Sequence, residues 1–255
     1  MNYIIAADTD IGNVRETNQD SVAALVADTG SGPVAFGVVC DGMGGLAKGE
    51  LASATLISTM VKWFKETLPQ TLVTGLDDNV IRAQWTEIIR SSNEVIKSYG
   101  TANGYNLGTT IAAILITHHR YYIVNVGDSR IYEITDSVKQ LTEDQTVVAR
   151  ELKYGRITEE QAKTDPRQSV LLQCVGASQT VNPEFFFGTP VVNASYMLCS
   201  DGFRHQIGDV EMLQYFSPFA NGSAEVMTAN IRQLINLNKQ RMEKDNITAA
   251  LIRTF

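Results

Sequence analysis

The sequence predicts an α+β fold in which two antiparallel β-sheets pack together with helices outside. Two observations lead there. Apolar runs of strand length come in groups joined by short turns, which suits antiparallel neighbours and gives no strand–helix–strand units. Between those groups stand two long stretches with apolar residues at helical spacing. Two of the apolar runs also end alike, in Val39-Cys40-Asp41-Gly42 and Leu198-Cys199-Ser200-Asp201-Gly202.

In chain order, residues 3–7 and 21–27 read as strands separated by a polar loop containing Gly12. The run 34–40 is a third strand. The cluster Asp28-Thr29-Gly30-Ser31-Gly32-Pro33 is a turn, so the second and third strands are expected to form a hairpin. Residues 47–65 carry Ala52, Leu56, Met60 and Phe64 at steps of four, a helix stripe. Residues 69–78 read as a connection. Residues 80–99 form a second helix with Ile81, Trp85, Ile88, Val95 and Ile96 on one side. Strands return at 109–117, 121–126, 130–135 and 138–141. A helix over 142–155 is expected to stop at Gly155. Thr158-Glu159-Glu160-Gln161 has capping-box spacing for a short helix. Residues 165–179 are irregular, 183–188 and 195–200 are strands, 209–216 and 223–236 are helices, and 246–255 is a last strand.

The chain has 255 residues, 44% hydrophobic and 19% charged, enough for a sizeable core in one domain spanning 1–255. A net charge of −7 is no nucleic-acid footprint. Three cysteines, two of them inside apolar strands, argue against a disulfide framework and for a reducing compartment. No apolar run is long enough for a membrane span and no signal-like segment opens the chain, so a cytoplasmic location without membrane insertion is expected.

The carboxylates point to chemistry. Asp41, Asp128 and Asp201 each follow a predicted strand; Asp20 and Asp245 each precede one. In antiparallel sheets a strand's end lies beside its neighbour's start, so all five can converge on one edge. No Cys/His cluster of zinc spacing accompanies them. An oxygen-only site favours Mg²⁺ or Mn²⁺, and two such ions about 4 Å apart can activate water and hold a phosphate for in-line attack. Arg15, in the loop before Asp20, supplies a fork for phosphate oxygens.

At this point the chain resembles the bacterial form of the metal-dependent serine/threonine protein phosphatases (type 2C, PPM). The resemblance rests on Thr9-Asp10-Ile11-Gly12 through Arg15 and Asn18-Gln19-Asp20-Ser21; Asp41-Gly42-Met43-Gly44-Gly45; Gly108-Thr109-Thr110; Val126-Gly127-Asp128-Ser129-Arg130; Ser200-Asp201-Gly202-Phe203; and Asp245-Asn246-Ile247-Thr248, in the family's order. It implies a four-layer αββα sandwich with antiparallel helix pairs flanking the sheets. It also implies hydrolysis of phosphoserine and phosphothreonine on proteins, with two Mn²⁺ or Mg²⁺ ions and a third in bacterial members. By the same resemblance Asp41 bridges two ions, and the Gly42 carbonyl completes the second ion's shell. Asp201 and Asp245 bind the first ion. Asp128 binds the third ion together with Asp201. Arg15 clamps phosphate, and Asp20 holds water in the site. Residues 145–178 fall where the family has a flap that helps choose substrate. The implied partners are phosphoproteins made by a bacterial Ser/Thr kinase, with the phosphatase acting as a monomer.

Two positions depart from the pattern. Gln19 stands where some relatives have Glu, which removes one charged ligand. Met43 stands where animal relatives have a His proposed as general acid, so that role is not carried over. His205, four residues after Asp201, could reach the site; His118 and His119 sit in a hairpin turn away from it. Cys40 and Cys199 read as small core residues. Two other readings compete. Asp8-Thr9-Asp10 after a strand is the signal of aspartyl-phosphate phosphatases of the haloacid dehalogenase class, which needs a parallel fold. An inactive regulatory module of the same fold would be expected to have lost the carboxylates.

Overall fold

The computed structural model describes residues 1–30, 32–44 and 48–255. Gly45 of the glycine motif, Ser31 of the hairpin turn, and Ala47, where the first helix was expected to begin, lie outside the described residues.

Strand β1 (Tyr3–Asp10) is followed by the hairpin β2 (Ser21–Thr29) and β3 (Gly32–Cys40), then by the short β4 (Gly42–Gly44). Helix α1 (Gly49–Lys62) runs through a π-helical turn, Trp63–Thr67, into α2 (Leu68–Thr74); α3 is Asp78–Asn103. Next come β5 (Leu107–Thr109), β6 (Ile111–Ile116), β7 (Tyr121–Val126), β8 (Arg130–Ile134) and β9 (Val138–Gln140). Helices α4 (Val147–Lys153) and α5 (Glu159–Thr164) precede β10 (Glu184–Gly188) and β11 (Ser195–Cys199). The chain closes with α6 (Asp201–Arg204), α7 (Asp209–Phe216), α8 (Ala224–Gln240) and β12 (Ile247–Thr254).

Among the described residues the strands build two five-stranded sheets, ordered β1-β12-β11-β8-β9 and β10-β7-β6-β3-β2, and a two-stranded sheet β4-β5, and every pairing is antiparallel. Three apolar layers give the four-layer order. Ile114, Ile123, Tyr196, Leu198 and Ile252 fill the space between the sheets. Phe36, Leu56, Met60, Trp63 and Trp85 bind α1 and α3 to the outer face of one sheet. Met197, Phe203, Phe216, Met227 and Ile231 bind α6, α7 and α8 to the other. Each large side chain buried in these layers contributes about 1.5–3 kcal/mol. The expected αββα sandwich is therefore the observed one, and its antiparallel sheets leave no place for a parallel dehalogenase fold. Asp8 and Asp10 are held instead by Arg232 and Lys239 of α8.

The differences from expectation are local. The stretch 69–78 was expected to be a connection, yet most of it is helix α2: Pro69 sits in the first turn, where its missing N–H has no partner to lose. The helix expected over 142–155 begins only at Val147, because the Gln145 N–H is taken by Gly127 O at 3.0 Å and Thr146 caps α4 by accepting from the Ala149 N–H at 3.0 Å. Gly155 does end that stretch with φ +65°. The capping box at Thr158 is present. Strand β1 runs on to Asp10, where Asp10 pairs with Ile247. Asp201 does not merely end a strand; it starts helix α6.

Candidate active site

Antiparallel pairing delivers the carboxylates to one edge, as the strand ends required. Ser21 pairs with Cys40, so Asp20 and Asp41 leave that edge side by side. On the other sheet Cys199 pairs with Ala249 and the Ser200 N–H donates to Thr248 O at 3.1 Å, which sets Asp201 beside the segment from Asp245. Asp128 lies in the turn where the chain passes from β7 in one sheet to β8 in the other. Arg15, Asp41, Gly42, Asp128, Asp201 and Asp245 line one cavity of about 320 Å³, with Gln19, Met43, Gly44, Ser169 and Leu171. Asp20 is buried close to this cavity and does not line it. The stretch 145–178 thus reaches the site through Ser169 and Leu171.

Polar side chains of the motifs hold the loops that carry these acids. The Asp41 N–H donates to Thr110 Oγ1 at 3.0 Å, and Asp41 O accepts from the Thr110 N–H at 2.9 Å and from Thr109 Oγ1 at 3.0 Å. Thr110 Oγ1 in turn meets Ser129 Oγ at 2.7 Å, which ties the Asp41 turn to the Asp128 turn. Asn246 Nδ2 donates to Ile11 O and Thr17 O, and its Oδ1 accepts from the Gln19 N–H, so one amide closes the Arg15 loop. Two glycines are needed for backbone approach. A Cβ on Gly42 would overlap the carbonyl oxygens of Gln19 and Gly49, and one on Gly202 would overlap that of Asn246.

The acids are crowded and poorly neutralised. Burial pushes the Asp20 carboxyl up to about 7, with the charges of Asp201 and Asp245 adding to it. Burial and the neighbouring carboxylates also push Asp41 well above the ordinary range. Burial raises Asp128 to about 7, reinforced by Asp201 and opposed by Arg204. Among the described residues, Asp20 Oδ2 and Asp201 Oδ1 are buried with no hydrogen-bond partner. Buried acceptors of this kind normally find one. A divalent cation would satisfy both and relieve the mutual repulsion, so the donor set fits hard ions. Also among the described residues, no group of three His, Cys, Asp or Glu is already arranged as a metal shell. Asp245 is gripped by Arg15, with Nε at 2.9 Å from Oδ1 and Nη2 at 2.7 Å from Oδ2.

The remaining site expectations resolve as follows. Gln19 lies against the metal-motif backbone: with its amide nitrogen turned to the acceptor, it donates to Gly42 O at 3.2 Å and its oxygen accepts from the Gly49 N–H at 3.1 Å. His205 does reach the acids, with Nε2 3.5 Å from Asp201 Oδ2 and Nδ1 3.5 Å from Glu243 Oε2. His118 and His119 are exposed in the β6–β7 turn. Cys40 and Cys199 are buried core thiols, and burial raises both, Cys199 to about 12. Three participants were missed in the sequence. Glu243 is buried and its Oε1 accepts from the Lys244 and Asp245 N–H groups. Asp144 and Arg204 form an ion network with Arg130 and Asp128. The spacing of Arg204 three residues after Asp201 was the available signal, and it has meaning only once that segment is helical.

An edge of clustered carboxylates on a double antiparallel sandwich, with an arginine at its mouth, is an arrangement that suits hard cations and a phosphate oxyanion. Residues 13–240 match the protein phosphatase 2C family, and the chain belongs to that family of phosphoprotein phosphatases. It is 31% identical over 206 residues to the serine/threonine phosphatase stp of Listeria welshimeri, covering 80% of this chain and 79% of that one. It is 27% identical to the protein phosphatase PhpP of Streptococcus pneumoniae over 96% of this chain and 94% of the relative. The solved serine/threonine phosphatase of S. agalactiae superposes with a TM-score of 0.86 at 27% identity, covering all of both chains. The catalytic domain of the phosphatase PstP, solved in complex with two manganese ions, superposes with a TM-score of 0.78 at 26% identity over 99% of each chain. Among the described residues no helix is long and apolar enough to cross a membrane.

Proposed function

We propose that this chain hydrolyses phosphoserine and phosphothreonine on proteins, using two Mn²⁺ or Mg²⁺ ions held at the carboxylate edge. The observation that carries the reading is the convergence of Asp41, Asp201, Asp245 and Arg15 on one cavity. Asp41, Asp201, Asp245 and the Gly42 carbonyl would hold the ions. Ions so placed lower the pKa of water and neutralise charge on the phosphoryl group. Asp20, whose carboxyl burial pushes up to about 7, would support water at the same edge. Arg15 presents two parallel N–H donors, now spent on Asp245, in the geometry a phosphate takes. Arg15 would have to leave Asp245 to reach a phosphate. Met43 lines the cavity and its thioether has no proton to give, so the leaving oxygen takes its proton from water or another group. Residues 145–178 act as a flap that shapes the substrate's approach within a single domain spanning 1–255. The substrates would be products of a Ser/Thr kinase, met by a monomeric, cytoplasmic enzyme.

Phosphate release from a phosphothreonine peptide, with Mn²⁺ and then with EDTA, tests the reading. Release should require the metal, vanish with EDTA and return on adding Mn²⁺. Full turnover by metal-free protein in EDTA would sink the metal-assisted mechanism, and no release with or without Mn²⁺ would favour the inactive module of the same fold.

Arg15→Ala separates the clamp from the ions. KM for the phosphopeptide should rise at least about tenfold, since a charge-assisted bidentate contact is worth more than 1.4 kcal/mol. Mn²⁺ affinity should stay equal or tighten, because Asp245 loses its competing partner. Weaker Mn²⁺ binding by calorimetry with unchanged KM would show that Arg15 serves the metals instead.

A further inference from the structure

We propose that Arg204 takes the place of the third cation that the family resemblance implies at Asp128, so that this chain carries two ions and one internal guanidinium. The inference rests on the two-ion reading above. Helix α6 sets Arg204 one turn beyond Asp201, on the same side of the helix. Its Nη2 donates to the Asp128 carbonyl at 3.2 Å and to Asp128 Oδ2 at 3.3 Å, and stands 3.7 Å from Asp144 Oδ2. The side chain is 13% exposed and Asp128 is 7% exposed, so little water screens the pair. Asp144 is held in addition by Arg130, with Nε at 2.7 Å and Nη2 at 2.6 Å.

The charges close. Two carboxylates, Asp128 and Asp144, face two guanidiniums, Arg130 and Arg204. Arginine does not deprotonate in proteins, so this positive charge is permanent. A dication placed on Asp128 would meet a fixed like charge within a few ångströms in a poorly solvated setting, where such repulsion is several-fold stronger than in water. It would also have to displace a hydrogen-bonded partner from one Asp128 oxygen. A weakly held, mostly hydrated ion has no binding energy to spare for either. The guanidinium that pairs with Asp245, Arg15, stands half exposed at the cavity mouth and can move away, and Asp201 is met by the His205 ring, which carries no fixed charge. The Arg204 guanidinium therefore supplies positive charge beside the flap without dependence on dissolved metal.

Counting Mn²⁺ bound to this 255-residue chain, from the loss of the free-ion paramagnetic resonance signal up to millimolar metal, tests this. The wild type should bind two ions. Arg204→Ala, with the wild-type far-UV circular dichroism, should bind a third weakly, and Arg204→Ala combined with Asp128→Asn should return to two. Arg204→Met, which keeps the aliphatic stem, gives the same reading if the alanine variant does not fold. Three ions on the wild type, or no third ion on a folded Arg204 variant, would overturn the proposal alone. Fewer than two ions on the wild type would overturn it together with the two-ion reading beneath it.

Discussion

Asp41→Asn is expected to remove phosphate release while making the metal-free protein harder to melt. Asp41 is the acid most surrounded by like charge: Asp20, Asp201, Asp128 and Asp245 all act to raise it. As a proposed ligand of the ions, Asp41 holds and positions them through its charge. Losing it should cost several kcal/mol of transition-state stabilisation, a fall of roughly a thousandfold in kcat/KM. The backbone would be kept, because Thr109 and Thr110 hold Asp41 through its N–H and carbonyl, not its side chain. Without metal, the amide removes an acid that folding must either protonate or crowd against its neighbours, so the melting temperature should rise. Calorimetric melting in EDTA beside a phosphopeptide assay in Mn²⁺ reads both effects. Retained activity, or a lower metal-free melting temperature, would show that Asp41 is structural.

The second large effect is a pH dependence of stability that metal reduces. Asp20 and Asp128 titrate near 7 in the folded chain, against about 3.9 for an aspartate in an unfolded one. Asp41 moves in the same direction. Between about pH 4 and pH 7 the folded state therefore binds more protons than the unfolded state, and stability falls as pH rises. The stabilising contribution is complete below the unfolded value and lost as pH climbs through the folded one. For Asp20 alone the whole span is on the order of 4 kcal/mol. With Asp128 alongside, the metal-free protein should melt roughly 10 °C lower at pH 8 than at pH 5.5. Saturating Mn²⁺ should erase the part of that gap that Asp20 and Asp41 supply, since cations at their edge then take the place of protons, and leave the part that belongs to Asp128. Groups lowered by partners, such as Asp10 with Lys239 and Asp165 with Arg167, lose their contribution only at more acid pH. A metal-free melting temperature that rises from pH 5.5 to 8 would show that the acids are ionised and comfortable without cations.

Where the acids meet was legible because it depends on a local rule. In an antiparallel sheet the end of one strand lies beside the start of its neighbour, so chain direction alone led to the expectation that Asp20, Asp41, Asp128, Asp201 and Asp245 meet at one edge; the pairings of Ser21 with Cys40 and of Cys199 with Ala249 then set which of them are adjacent. The glycines were legible for the same reason, since Gly42 and Gly202 mark backbone approach that no side chain tolerates. Helix periodicity and the Thr158 capping box are likewise properties of a few neighbouring residues.

What only the tertiary structure decided is how distant charges are shared. Nothing in the order of residues says that β1 pairs with β12, or that Arg15 closes on Asp245 across the whole length of the chain. The Arg204–Asp128–Asp144–Arg130 network depends on a four-residue helix too short to leave a periodic pattern, and on two sheets meeting at one turn. The raised Asp20 and Asp128 carboxyls follow from burial, which is set by the layers packed around them and not by the residues beside them in sequence. Sequence determined which oxygens this protein brings to its edge; packing decided which are left free for a cation and which are already answered by an arginine.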